Sequence, residues 1–222
     1  MRRTARRKKG RRSSGSRLFR YDRSLGVRFV AGSDEAGRGC LAGPLVAAAV
    51  LFDYERLSLA DLRSLSALND SKQHSAEMRE ELYPKVLRAA TRVAVTSRCV
   101  RGIDSRGLHV TNLRALSDTL RRVGVEDCLC LSDGFPVPPT GFEQRAVVGG
   151  DATSAAIAAA SVIAKVTRDR FMHRAAERYP GWEFDAHVGY STPEHRAAIE
   201  RLGVSPLHRL SFQSTAYQQL AL

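Results

Sequence analysis

Residues 29–51 read FVAGSDEAGRGCLAGPLVAAAVL. An apolar run ends in two adjacent carboxylates, Asp34 and Glu35. A glycine-flanked arginine follows at once, as Gly37, Arg38 and Gly39, and a second apolar run extends from Val46 to Leu51. That second run is almost continuously apolar, which suits a strand covered on both faces, and Pro44 fits its start. Glycine accepts backbone angles that other residues resist, so the loop between the strands can come close to a bound group. An unpaired Asp34 between two buried strands is costly, and a metal ion would relieve that cost. Carboxylates beside exposed backbone N–H groups suit a cation and a phosphate sharing one site.

Outward from this stretch, residues 53–68 are expected to hold a short helix. Ser75 is placed as the N-cap of another, with Glu77 in its first turn and Met78, Leu82, Val86 and Ala90 at helical spacing. Arg92–Val100 alternates as a strand. Val110, Leu113, Leu116, Leu120 and Val123 form one stripe of a helix over His109–Val123, which Gly124 ends. Cys128–Leu131 and Arg145–Val148 read as short strands, and Ser154–Arg178 as a long helix whose alanines allow close packing. The stretch GWEFDAHVGYSTPEH, residues 181–195, reads as a loop. Helices are predicted over Pro193–Leu202 and near the C-terminus. Because the first three strands are nearly consecutive, the pattern predicts an α/β fold. It has a mixed sheet of about five strands flanked by helices, not a regular doubly wound sheet. Residues 21–178 form the body and 179–222 a small helical extension.

The net charge of +12 points to an anionic partner. It is unevenly placed. The first twenty residues hold ten Lys or Arg and no acid, leaving +2 for residues 21–222. Residues 1–20, rich in Arg, Lys, Ser and Gly, are expected to be a disordered basic arm. They lack the apolar stretch of a secretory signal. The arm reads either as an electrostatic tether to nucleic acid or as a solvated extension. No apolar run reaches the length of a membrane span. Cys40, Cys99, Cys128 and Cys130 lack paired metal-site spacing, so zinc is not expected and a reduced, cytoplasmic setting fits.

Two further acids occupy places like that of Asp34-Glu35. Asp133 follows the fourth strand and Asp151 the fifth, each beside glycine. Singly, Asp133 suits a turn and Asp151 a helix start. Together they predict four carboxylates converging on one sheet edge if the strands are neighbours. A like-charge pair at ~4 Å costs roughly 4 kcal/mol near a surface, so such a cluster needs protons or cations. Hard divalent ions take oxygen ligands, and Mg²⁺ favours a few carboxylates with water and phosphate. A two-ion site can activate a water and steady the leaving oxygen of a phosphodiester.

The segment DEAGRGCLAGPLV at 34–46 closely resembles the signature of prokaryotic ribonuclease HII. LNDSK at 68–72, LSDG at 131–134, GGD at 149–151, ASVIAKVTRD at 160–169, HVGYST at 187–192 and HRLSF at 208–212 continue the likeness in the family's order, over about residues 27–213. The resemblance implies an RNase H-like fold. It implies hydrolysis of the RNA strand of RNA–DNA hybrids and cleavage 5′ of ribonucleotides embedded in duplex DNA, leaving 3′-hydroxyl and 5′-phosphate ends. Asp34, Glu35, Asp133 and Asp151 fall on the family's metal-binding carboxylates, with Mg²⁺ or Mn²⁺ as cofactor. Gly37, Arg38 and Gly39 fall on the loop that recognises the 2′-hydroxyl. Tyr190 matches the tyrosine that stacks on the neighbouring deoxyribose. Val188 stands where the family more usually has lysine.

The 2′-hydroxyl is the group that marks a ribonucleotide within DNA, and it both donates and accepts. Lys72, Lys165 and Arg168 are candidate phosphate binders, the last two sharing a helix face. Asn69 and Ser71 are candidates for capping or for nucleic-acid backbone contact. His109, His187 and His208 are read as structural, since imidazole suits softer metals. A monomer is expected. The rival class is a non-catalytic nucleic-acid binder acting through the basic arm. A nearer rival, ribonuclease HIII, carries an extra N-terminal domain that twenty basic residues cannot form.

Overall fold

In the computed structural model, residues 13–212 and Tyr217 are described. The strand β1 (Phe29–Ala36) pairs antiparallel with β2 (Leu45–Asp53), which pairs antiparallel with β3 (Arg92–Arg98). On its other side β1 runs parallel to β4 (Cys128–Asp133), and β4 parallel to β5 (Glu143–Val147). The order β3-β2-β1-β4-β5 is the expected mixed sheet. All nine residues of β2 are buried, as a strand covered on both faces should be.

Side chains alternate across a strand, and this divides the core. Val30, Val50, Phe52, Leu129 and Leu131 pack beneath α1 (Ser14–Ser24), α3 (Ala76–Ala89) and the long α6 (Ala155–Arg178). Ala31, Ala47, Leu51 and Cys130 pack beneath α5 (Leu108–Val123) on the opposite face. The alanines of α6 let it lie close on the sheet. A Cβ on Gly32 would come within 2.2 Å of the Ala156 and Ile157 backbone. Short helices α2 (Leu59–Ser64) and α4 (Val100–Arg106) fill connections. Beyond α6, α7 (Phe184–His187) and α8 (Pro193–Leu202) form the expected C-terminal extension. Ser75 caps α3, accepting from the Met78 N–H at 3.3 Å, and Ser154 caps α6 the same way through Ile157.

Two differences from expectation stand out. The basic arm was expected to be disordered through residue 20, but residues 14–24 form α1. Leu18 and Phe19 are buried, and Phe19 packs 5.6 Å from Phe52. Burying such side chains contributes ~1.5–3 kcal/mol each toward the ordering of α1. The carboxylate of Asp22 then accepts from the Tyr54 hydroxyl at 2.6 Å and the Ala156 N–H at 2.9 Å, tying α1 to the start of α6. Residues 1–12, and all of the expected last helix except Tyr217, lie outside the described residues. Secondly, α4 and the single turn α7 fall where no helix was predicted. No helix among the described residues is long and apolar enough to cross a membrane.

Candidate active site

Because β1, β4 and β5 are parallel neighbours, their carboxyl ends share one edge of the sheet. Ser33 lies beside Ser132 in the register, so Asp34 and Asp133 follow side by side. The single 3₁₀ turn at Gly150–Ala152 brings in Asp151. Each of Asp34, Asp133 and Asp151 offers a carboxylate oxygen, all within 4.8 Å of one another. Oδ1 of Asp133 accepts from the Gly150 N–H at 2.7 Å, and Oδ1 of Asp34 from the Glu35 N–H at 2.7 Å.

Asp34 and Asp151 are buried. Burial first, then the charges of Glu35 and Asp133, hold the Asp34 carboxyl well above the usual carboxylate range. Burial and then Asp133 raise Asp151 as well. The nearest ammonium is Lys72, whose Nζ lies 3.6 Å from Asp151. Three carboxyls with one exposed cation are short of positive charge, and an all-oxygen donor set suits a hard divalent ion. The residues present therefore fit a metal of the Mg²⁺ or Mn²⁺ kind.

Glu35, the fourth expected carboxylate, joins this edge from the other face of the sheet, and its charge contributes to the Asp34 rise. Glu35 is adjacent to Asp34 on a strand, so it points to the opposite face. There it lies beside Asn112 of α5 and the Arg38 guanidinium, 3.9 Å away. Burial raises its carboxyl, and Asn112 and Arg38 oppose that rise. Asp133 still contributes to the Glu35 shift, so the fourth carboxylate borders the trio from the α5 side.

The glycine loop is held by two buried arginines. Arg168 was expected to bind phosphate, but it is 0% exposed. Its guanidinium donates to the carbonyls of Pro44 at 3.0 Å, Ala42 at 3.0 Å and Val188 at 2.8 Å. Those backbone groups need donors in the interior, and a guanidinium fork supplies several at once. Arg209 mirrors it, donating to Gly43 O at 3.0 and 2.9 Å and to Arg38 O at 3.0 Å. Gly37 has φ +87°, and a Cβ there would meet the Arg168 side chain at 2.0 Å, so only glycine fits. The Arg38 guanidinium lies 5.1 Å from the centroid of the Phe135 ring, beside Gly39.

The remaining candidates divide. Lys72 faces the carboxylates. Ser71 is buried, with its hydroxyl 2.7 Å from that of Ser161 in α6. Asn69 donates to Gln73 at 2.8 Å. Lys165 is paired with Asp169 at 2.7 Å and stands 5.3 Å from the centroid of the Tyr190 ring.

Tyr190, 41% exposed, projects from a loop fixed at several points. Gly189 O accepts from the Leu41 and Ala42 N–H groups at 2.9 and 3.3 Å, tying this loop to the glycine loop. A Cβ on Gly189 would meet Ala42 O at 2.3 Å. Val188 takes φ +44°, a conformation costly for a β-branched residue, and its carbonyl receives Arg168. Beneath lies a chain of histidines. Nδ1 of His208 accepts from the Ser205 N–H at 2.8 Å, so its Nε2 carries the proton, 3.1 Å from Nε2 of His195. His195 must then be protonated at Nδ1, and it donates to the Tyr190 carbonyl at 2.8 Å. His187 stacks on His195 at 4.1 Å and accepts from the Gly189 N–H. Burial pushes His195 and His208 down to about 4.

Sequence reading passed over Arg209, His195 and Asn112. Arg209 and His195 follow motif edges, in HRLSF and in STPEH, and a charged residue in a segment that must pack is the signal that could have found them. Asn112 left no such signal beyond being polar on the buried side of an amphipathic helix.

A mixed five-stranded sheet with strand-end aspartates gathered beside a braced glycine loop defines a divalent-metal-dependent nuclease of the RNase H-like fold. The Ribonuclease HII family model matches residues 31–215. Ribonuclease HII of Rhizobium leguminosarum bv. trifolii is 48% identical over 199 residues, covering 89% of this chain and 83% of that protein. The crystal structure of ribonuclease H2 from Pyrococcus horikoshii OT3 superposes with a TM-score of 0.71 at 27% identity, covering 86% of this chain and 96% of that one. Bst-RNase HIII in complex with Mn²⁺ shares the fold, with a TM-score of 0.69 at 19% identity over 90% of this chain and 71% of that one. The chain belongs to the ribonuclease HII family and is an RNase H endonuclease.

Proposed function

We propose that this enzyme hydrolyses the RNA strand of RNA–DNA hybrids and cuts 5′ of single ribonucleotides embedded in duplex DNA, leaving 3′-hydroxyl and 5′-phosphate ends. The observation that carries this reading is the trio Asp34, Asp133 and Asp151 within 4.8 Å, at the foot of a glycine loop that only small backbone can form.

Asp34, Asp133 and Asp151 would hold Mg²⁺ or Mn²⁺, with Glu35 bordering them from the α5 side; the ribonuclease HIII relative was crystallised with Mn²⁺. Bound there, divalent ions lower the pKa of a water and offset charge at the phosphodiester. The chain's own residues position the substrate. Gly37, Arg38 and Gly39 present backbone groups to a 2′-hydroxyl at close range, in a turn that Gly37 permits because a Cβ there would collide with Arg168. Arg168 and Arg209 keep that loop rigid from below, so little ordering cost falls on binding. Lys72 supplies positive charge at the edge of the carboxylates. Tyr190 offers its exposed ring to the sugar next to the ribonucleotide, with Lys165 behind it.

The test is cleavage of duplexes containing zero, one or several ribonucleotides, with Mg²⁺ and with Mn²⁺. Asp34→Asn, or EDTA added to wild type, is expected to abolish cutting of the single-ribonucleotide duplex. A near wild-type rate in either case would sink the assignment.

A further inference from the structure

On the α5 side of the catalytic end, a solvent-open cavity of about 530 Å³ is lined by Arg98, Arg106, Arg114 and Arg121, with one carboxylate, Asp118. Arg98 pairs with Asp118. Among the described residues, Arg106, Arg114 and Arg121 have no acidic partner within ion-pair distance. The cavity thus concentrates three unpaired positive charges, whereas residues 21–222 together carry only +2.

Its position and shape say what it fits. Arg98 closes β3 opposite Leu45 at the start of β2, the end of the sheet where Ala36 faces Val46 beside the carboxylates. Thr111 lines the cavity and neighbours Asn112, which lies beside Glu35. Arg114 and Arg121 are two helical turns apart on one face of α5, about 10 Å along its axis. Charges spread over that length do not converge on one small anion. They match a run of phosphates, and guanidinium forks suit phosphate oxygens. The wall behind them is fixed: Ser117 Oγ donates to Pro138 O at 2.9 Å, and Thr111 donates to Gly102 O at 3.4 Å.

We propose that this arginine-lined cavity binds the sugar-phosphate backbone of the substrate duplex where it extends past the cleavage point on the α5 side. The assignment rests on the nuclease reading for the identity of the strand, and on the cavity alone for its affinity for a polyanion.

The experiment compares wild type, Arg114→Gln/Arg121→Gln and the single variant Arg106→Gln as full chains. One duplex ends close to its ribonucleotide, and another is extended by about two helical turns on each side. Fluorescence anisotropy in EDTA over a range of salt measures binding without cleavage. Steady-state cleavage with Mn²⁺ gives KM and kcat. On the extended duplex the double variant is expected to lose about 2 from the slope of log affinity against log salt, and Arg106→Gln about 1. KM should rise about tenfold for the double variant with kcat within about twofold, and the short duplex should show neither change. An unchanged slope on the extended duplex overturns the proposal. So does loss of binding to inorganic phosphate with duplex affinity intact, which would mark a small-anion site. Because the slope is read without chemistry, a wild type that bound but never cut would sink the nuclease reading and leave the polyanion surface standing.

Discussion

The backbone N–H of Gly150 donates to Oδ1 of Asp133 across 2.7 Å, so one hydrogen bond fixes the end of β4 to the turn that carries Asp151. A Cβ at Gly150 would meet Ile157 Cδ1 at 2.5 Å and Asp133 Oδ1 at 3.1 Å. The isoleucine methyl can rotate away, but the carboxylate must shift. Gly150→Ala is therefore expected to misplace two aspartates together. A displacement of about 1 Å near a reacting centre can cost on the order of 100-fold in rate. Activity titrated against Mn²⁺ should show a lower plateau and a higher half-saturating concentration, with little change in melting temperature. Wild-type titration curves would refute this coupling.

Arg168 separates a strut from a ligand contact. Its guanidinium serves three carbonyls in the interior. Lysine cannot reproduce that fork, and buried carbonyls left without donors cost about 1–3 kcal/mol each. Arg168→Lys is expected to lower the melting temperature by several degrees. The salt slope of duplex binding should stay within error of wild type. A slope reduced by about 1 with unchanged stability would restore the phosphate-contact role.

Much of this was legible in the sequence because it is periodic or local. The apolar runs of β1 and β2, the alanines of α6 and the Ser75 cap are all short-range signals, and all appear where expected. The convergence of Asp34, Asp133 and Asp151 followed from strand ends and needed only that the strands be neighbours. Glu35 reaches the same edge from the α5 side of the strand, where its charge still raises Asp34, because the pleat sends adjacent side chains to opposite faces. Arg168 was misread since three carbonyls from separate loops create its burial, and no window of sequence contains them. Helix α1 was hidden by the charge around it, with only Leu18 and Phe19 to announce a buried face.

Asp22 gives α1 a pH signature. Burial raises its carboxyl from 3.8 to about 6, so the folded chain binds a proton more tightly than the unfolded chain across that window. Its contribution to stability is present below about pH 4 and is lost as pH rises through about 6, an effect of about 3 kcal/mol. Asp22→Asn keeps an acceptor for Tyr54 and Ala156 while removing the charge. It is expected to be at least as stable as wild type near neutrality, and its stability should fall less between about pH 4 and pH 7. Thermal melts across that range decide the matter: an Asn variant that melts well below wild type at neutral pH contradicts the buried-charge account.

The histidine chain has the opposite sign. His195 and His208 are held down to about 4 from 6.5, so the unfolded chain takes up protons first. Their contribution is present above pH 6.5 and is lost as pH falls toward 4. A second proton on His208 would face the Ser205 N–H, and one on His195 would face the His208 N–H, so the chain cannot charge without breaking. His195→Phe fills the ring's volume but leaves the Tyr190 carbonyl without its donor. The loop then loses one anchor while the carboxylates stay in place. If the Tyr190 ring positions the sugar as proposed, cleavage at a single embedded ribonucleotide should fall more than cleavage of a long hybrid, and Tyr190→Ala should show the same asymmetry more strongly. The variant should also lose stability less steeply than wild type between pH 6.5 and 4. Equal losses on both substrates for His195→Phe, with an unaltered acid profile, would show that the chain carries packing alone and does not position Tyr190.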